Sequence, residues 1–236
     1  MRPPPLCDHR RVSESTPTTA WDGDDILPDD ADLFPIHDRE YRVRAYRLAS
    51  DRILIRGGVR DQKPPGLYIS HDPDPIIVHH MVVEMEVAFP SLVIERCEVT
   101  FESFPHGTCP TITEHYRSLE GLSIARGFSG RVRELFGGPR GCTHTTALLL
   151  AMGPVAVQCT WSMFSSELPE GDTPSLRMRL FEGSEHDDTW RMNIGSCHEW
   201  AEDGPATRRA EAGEGFEVPV FMQRRLEELG LETGRS

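Results

Sequence analysis

The chain has 236 residues, long enough for one sizeable core with appended arms. Hydrophobic residues make up 38% and charged residues 27%, which excludes a fully disordered chain. A formal net charge of -13 repels phosphate backbones and argues against nucleic-acid binding.

The opening Met1-Arg2-Pro3-Pro4-Pro5 has no apolar signal core, and the longest apolar run, Ala147–Met152, is far short of the roughly 20 residues a membrane span needs. Cytoplasmic location and no membrane partner are the expectation. In a reducing compartment, Cys7, Cys97, Cys109, Cys142, Cys159 and Cys197 read as core residues, ligands or nucleophiles rather than disulfides. Lys63 is the sole lysine among many arginines, a bias that points to a GC-rich bacterial genome.

Residues 1–35 are rich in Pro, Ser, Thr and Asp and predict a flexible, disordered arm. Tyr41–Tyr46 and Ile53–Ile55 predict two strands around Ser50-Asp51, with Gly57-Gly58 and Pro64-Pro65-Gly66 as punctuation. Ile76–Met85 and Leu92–Phe101 predict an antiparallel β-hairpin turning at Phe89-Pro90-Ser91. Pro110 opens a helix carrying Ile112, Tyr116, Leu119 and Leu122. A second helix starts at Ser129 as N-cap and is stopped by Gly137-Gly138-Pro139. A third starts near Cys142 or Thr143, is apolar on every side, and is kinked or ended by Gly153-Pro154. Leu176–Phe181 and Trp190–Ile194 suggest strands, Gly204–Gly215 a loop, and Val220–Leu229 a helix closed by Gly230. Strands followed by two or three helices give an α+β fold with a single core. The domains are the arm (1–35), the α+β domain (36–202), and a loop with the C-terminal helix (203–236).

The sharpest local feature is Gly141-Cys142-Thr143-His144 at the head of the apolar helix. A thiol at a helix N-terminus meets the positive end of the dipole, and an imidazole two residues on can reach the same point. Cys109 sits at a second predicted helix start, Cys197 stands beside His198, and His79-His80 lie on a strand where only one of them can face a given side. These are donors of the kind that hold zinc or iron. No Cys-x-x-Cys pair exists, so tertiary structure must assemble any such site. Cys97 and Cys159 read as core and Cys7 as idle. Asp61-Gln62-Lys63 reads as a surface turn, although a carboxylate beside the sole lysine is also a candidate site. Gly-x-Gly-x-x-Gly, a Walker loop and Gly-x-Ser-x-Gly are all missing, which lowers the odds of a nucleotide-binding enzyme or a serine hydrolase.

Several segments stand in the order of the bacterial domain-of-unknown-function 2889 family. They are Ile53–Lys63 with its Asp-x-Lys end, Val78-His79-His80-Met81, Cys109 with Tyr116 and Leu119-Glu120-Gly121-Leu122, Gly137–His144, and Gln158. The chain resembles that family over roughly residues 39–200. It departs at Thr145-Thr146, where a Leu and an acidic residue are usual, and at His80, where an Asp is usual. The second departure favours His79 as the site histidine. The resemblance implies a shared fold and site but no activity. A looser likeness to iron–sulfur cluster assembly scaffolds would use Cys109, Cys142 and Cys197 with His198.

The leading expectation is a metal-binding domain, zinc or iron, using Cys109, Cys142 and His144, with Cys197 or His79 completing the shell. One rival is a metal-free enzyme with Cys142 as nucleophile and His144 or His79 as base. The other is a scaffold carrying an iron–sulfur cluster or a protein partner. The substrate or partner is a small molecule or a protein of unknown identity.

Overall fold

The computed structural model describes residues 27, 33–125, 127–166, 188–214 and 218–231. The chain divides into Met1–Ile36 and His37–Ser236. Most of the expected arm, and the expected strand Leu176–Phe181, lie outside the described residues. Sheet and helices belong to the second unit.

Four strands, β1 (Asp38–Ala49), β2 (Arg52–Lys63), β3 (Ile76–Ala88) and β4 (Ile94–Ser103), form an antiparallel meander in the order β1-β2-β3-β4. Side chains alternate between faces. Ile53, Ile55, Val59 and Asp61 of β2 and Met81, Val83, Met85 and Val87 of β3 are buried on one face. The other face carries charge: Arg56 pairs with Glu84, Arg60 with Glu40, and Arg96 with Glu86 and Glu98. Such exposed pairs each contribute under about 1 kcal/mol, so the buried face supplies the stability.

Cys109–Leu119 is a 3-10 helix packed on β4, with Tyr116 and Leu119 fully buried. Helix α1 (Phe128–Phe136) starts after Gly127, whose φ of 84° only glycine adopts at low cost, rather than at Ser129. It turns Phe128, Val132 and Phe136 inward. Helix α2 (Thr143–Ser166) lies over β1, β2 and β3. Its buried Leu148, Leu149, Met152, Ala156 and Met163 each contribute roughly 1.5–3 kcal/mol where the side chain is large.

The helix does not end at Gly153-Pro154: Pro154 lies inside it. Buried residues on both sides of the proline pack into the same core and hold the helix together across the missing hydrogen bond. At this length α2 is long and apolar enough to cross a membrane, which no single run of the sequence suggested. Here its buried stripe faces the sheet. Gly57 is not punctuation either. It lies within β2, where a Cβ would meet Met152 Sδ at 2.7 Å and Leu148 Cδ1 at 3.0 Å, so its missing side chain lets α2 settle on the sheet.

Two C-terminal expectations are also corrected. Trp190–Ile194 is no strand: Asp188–Asn193 is 3-10, with the Trp190 ring against Trp200 and Arg191 over Trp190. The segment Gly204–Gly215 is not all loop: it holds helix α3 (Pro205–Glu211), which opens on a proline whose absent N–H costs nothing at that position. Helix α4 (Val220–Glu228) is followed by Gly230 at φ 66° and carries its own small cluster of Val218, Met222 and Leu226.

Candidate metal centre and thiol

One end of the buried sheet face is polar. Strand register sets Arg39 beside Asp61 across β1 and β2, and Asp61 beside His79 across β2 and β3. A register shift between β2 and β3 falls right after Asp61, the kind of local kink that re-aims side chains near sites. Asp61 is therefore a strand residue, 2% exposed, and not part of a surface turn.

Its carboxylate collects donors from three directions. Arg39 gives Nε to Oδ1 at 2.5 Å and Nη2 to Oδ2 at 2.7 Å, a two-pronged charged pair. His79 Nδ1 lies 3.2 Å from Oδ2, and His144 Nε2 lies 3.0 Å from the same oxygen. His37 Nε2 stands 3.6 Å from Oδ1. The His79 and His144 rings stack with centroids 3.9 Å apart. Burial would raise the Asp61 carboxyl, but the Arg39 hydrogen bonds and charge outweigh it, and the group is held at about 2. His144 is held below its ordinary value, first by burial and then by the neighbouring His79, with Asp61 opposing.

His144 reaches this point because the turn before α2 is fixed tightly. Gly141 packs so close to Phe136 that a Cβ would lie 2.8 Å from the Phe136 carbonyl oxygen. The Cys142 N–H donates to the hydroxyl of buried Tyr116 at 2.8 Å. The Thr146 N–H donates to the Cys142 carbonyl at 2.9 Å, which makes Cys142 the residue that caps α2. The Thr146 hydroxyl donates to that carbonyl too, at 2.8 Å, giving the departure at Thr145-Thr146 a local role.

Among the described residues, Asp61, His79 and His144 form a group whose ligand atoms all lie within 4.8 Å of one another, close enough to hold a metal ion. Of the residues singled out in the sequence, His79 and His144 meet here. Cys142 comes only to the other nitrogen of His144, with Sγ 3.7 Å from Nδ1. Cys109 is half-buried against the core at the head of its 3-10 helix, and Cys197 is exposed in the C-terminal part. Neither belongs to the convergent group. The looser likeness to iron–sulfur scaffolds gains no support from this arrangement. Cys97 is fully buried, its thiol pushed up to about 12 chiefly by burial, and Cys159 packs at the core margin.

The sequence offers Asp61 only as a partner for Lys63, behind the preferred reading as a surface turn, and Arg39 was missed. The available signal was alternation: Ile53, Ile55, Val59 and Asp61 share one face of one strand, which puts the carboxylate in line with the core. Nothing local marked Arg39 out from the other arginines of β1.

The sequence profile of a family described as "Protein of unknown function (DUF2889)" matches residues 37–158, the stretch that runs from His37 through the sheet and past the head of α2. No curated protein and no solved structure matches the chain.

Proposed function

The chain belongs to the DUF2889 family, a membership that carries no activity with it, and we propose that it binds a divalent transition metal, zinc or iron(II), at Asp61, His79 and His144. The observation that supports this most is that two imidazole nitrogens on different elements converge on one buried carboxylate oxygen. A carboxylate with two histidines is a donor set used by zinc and by non-haem iron sites that keep positions open for a substrate. A bound ion would supply Lewis acidity toward a ligand oxygen.

The protein's own part is orientation. Arg39 fixes the carboxylate, and the Cys142 sulfur at Nδ1 of His144 points Nε2 inward, as outer partners do for metal-bound histidines. In this reading Cys142 is a positioning residue and not a ligand. The test is elemental analysis of purified, tag-free protein. Near-stoichiometric zinc or iron in wild type, lost in Asp61→Asn and His144→Ala but kept in Cys142→Ala, supports the Asp/His site. No metal in wild type, before or after incubation with either ion, sinks it.

A second reading has its own observation. Cys142, His144 and Asp61 stand in line, Sγ to Nδ1 at 3.7 Å and Nε2 to Oδ2 at 3.0 Å, with the thiol at the start of a long helix. Nucleophile, base and orienting acid occur in this order in thiol enzymes. A metal-free protein whose Cys142 is alkylated faster than Cys109, and slowed by His144→Ala, would support this reading instead.

A further inference from the structure

We propose that the site takes a small carboxylate, held between the metal and the guanidinium of Arg39; this rests on the metal reading above. Three observations carry it.

The first is charge. Asp61 and Arg39 already cancel, and both histidines are neutral ligands when they bind metal. A divalent ion therefore adds two uncompensated positive charges beside a buried carboxylate. Buried charge without a partner is costly, so the site favours an anionic ligand.

The second is the donor count on Arg39. A guanidinium has five N–H donors in a fixed fork, and Asp61 takes one from Nε and one from Nη2. Tyr41 takes a further side-chain hydrogen bond, and the side chain is still 39% exposed, which leaves an outer edge with donors for a ligand. Planar carboxylates are what such an edge binds best.

The third is the rim. His37, 38% exposed, stands at Oδ1 of Asp61 on the Arg39 side. Arg39 itself pairs with the same Oδ1. An arginine and a histidine thus border one site in a chain of net charge -13. Most of its surface repels anions, and this mouth does not.

The experiment uses the full chain loaded with cobalt(II), whose visible absorption reports its ligands. Acetate, pyruvate and benzoate are titrated in, each against its uncharged counterpart: acetamide, methyl pyruvate and benzamide. At least one acid should change the spectrum about tenfold more tightly than its neutral partner, a preference Arg39→Gln should largely abolish when wild type and variant are each compared at saturating cobalt. A cobalt spectrum that no acid changes, or that acids and neutral partners change equally, overturns the carboxylate inference and leaves the metal reading standing. Failure to bind cobalt at all overturns both. The neutral counterparts keep the test decisive even if Arg39→Gln does not fold.

Discussion

His144 Nε2 lies 3.0 Å from Oδ2 of Asp61, joining the head of α2 to the end of β2 across the edge of the core. The contact ties the candidate site to the fold: whatever moves α2 on the sheet moves the imidazole away from the carboxylate.

Asp61→Asn tests how much the carboxylate holds together. The amide keeps the shape but loses the charge, and turns an NH2 toward groups that themselves donate. Arg39 is partly exposed and can recover water, which limits the loss. The expected destabilisation is about 1–3 kcal/mol, measured by urea unfolding of metal-free protein. A change within experimental error would show that the four donors around Asp61 contribute nothing net.

Acid should weaken the metal-free protein in two stages. His144 binds its proton less readily when folded than its ordinary value of 6.5 implies, so below that pH the unfolded chain takes up the proton first. Its contribution is complete above about pH 6.5 and fades as pH falls through the lowered folded value. Asp61 behaves likewise from its ordinary 3.8 down to about 2, worth at most about 2 kcal/mol. His144→Asn should remove the upper stage and keep the lower one. Unfolding free energies across pH 2 to 8 that are flat, or that rise with acid, would contradict both.

Much of this fold was legible in the sequence, because period and punctuation are local. The strands around Ser50-Asp51, the hairpin turning at Phe89-Pro90-Ser91, and the α2 start at Cys142 or Thr143 all follow from side-chain spacing and turn residues. What escaped depended on distant partners. Gly57 reads as a breaker until Met152 is known to cover it. Pro154 reads as a kink or a stop, and the stop is ruled out only once the core on both sides is known to hold the helix. The site divides in the same way. His79 and His144 stood out as residue types at turns and strand ends, whereas Asp61 looked like a turn residue because its partners come from β1, β3 and α2.

Two glycine-to-alanine changes should differ in kind. At Gly57 the new methyl meets the Met152 and Leu148 side chains, which can shift, so a loss of about 1–3 kcal/mol is expected with the site intact. At Gly141 it meets the Phe136 backbone, 2.8 Å from a carbonyl oxygen that cannot turn away. The turn must move there, carrying Cys142 and His144 with it. Gly141→Ala should therefore lower metal content at temperatures where Gly57→Ala, still folded by circular dichroism, does not. Equal metal content in both would show that the turn does not set the position of His144.

Cys142→Ala separates the two roles of the thiol. As a positioning residue its sulfur acts through Nδ1 of His144, so the imidazole remains in place and only its orientation loosens. Metal affinity should then drop about 10–100-fold, as for other outer partners of metal ligands, without being abolished. Cys142→Ser, which keeps a hydrogen-bonding group at the same spot, should recover part of that loss. A ligand role predicts otherwise: serine would rescue poorly, and cobalt(II) would show a sulfur-to-metal charge-transfer band in wild type that disappears in the alanine variant. A nucleophile role predicts a third pattern, with cobalt affinity unchanged by either substitution and alkylation of the intact Cys142 slowed by His144→Ala. Titrating cobalt into wild type, Cys142→Ala and Cys142→Ser, and following iodoacetamide labelling of wild type and His144→Ala by mass spectrometry, decides among them, because each role moves a different readout.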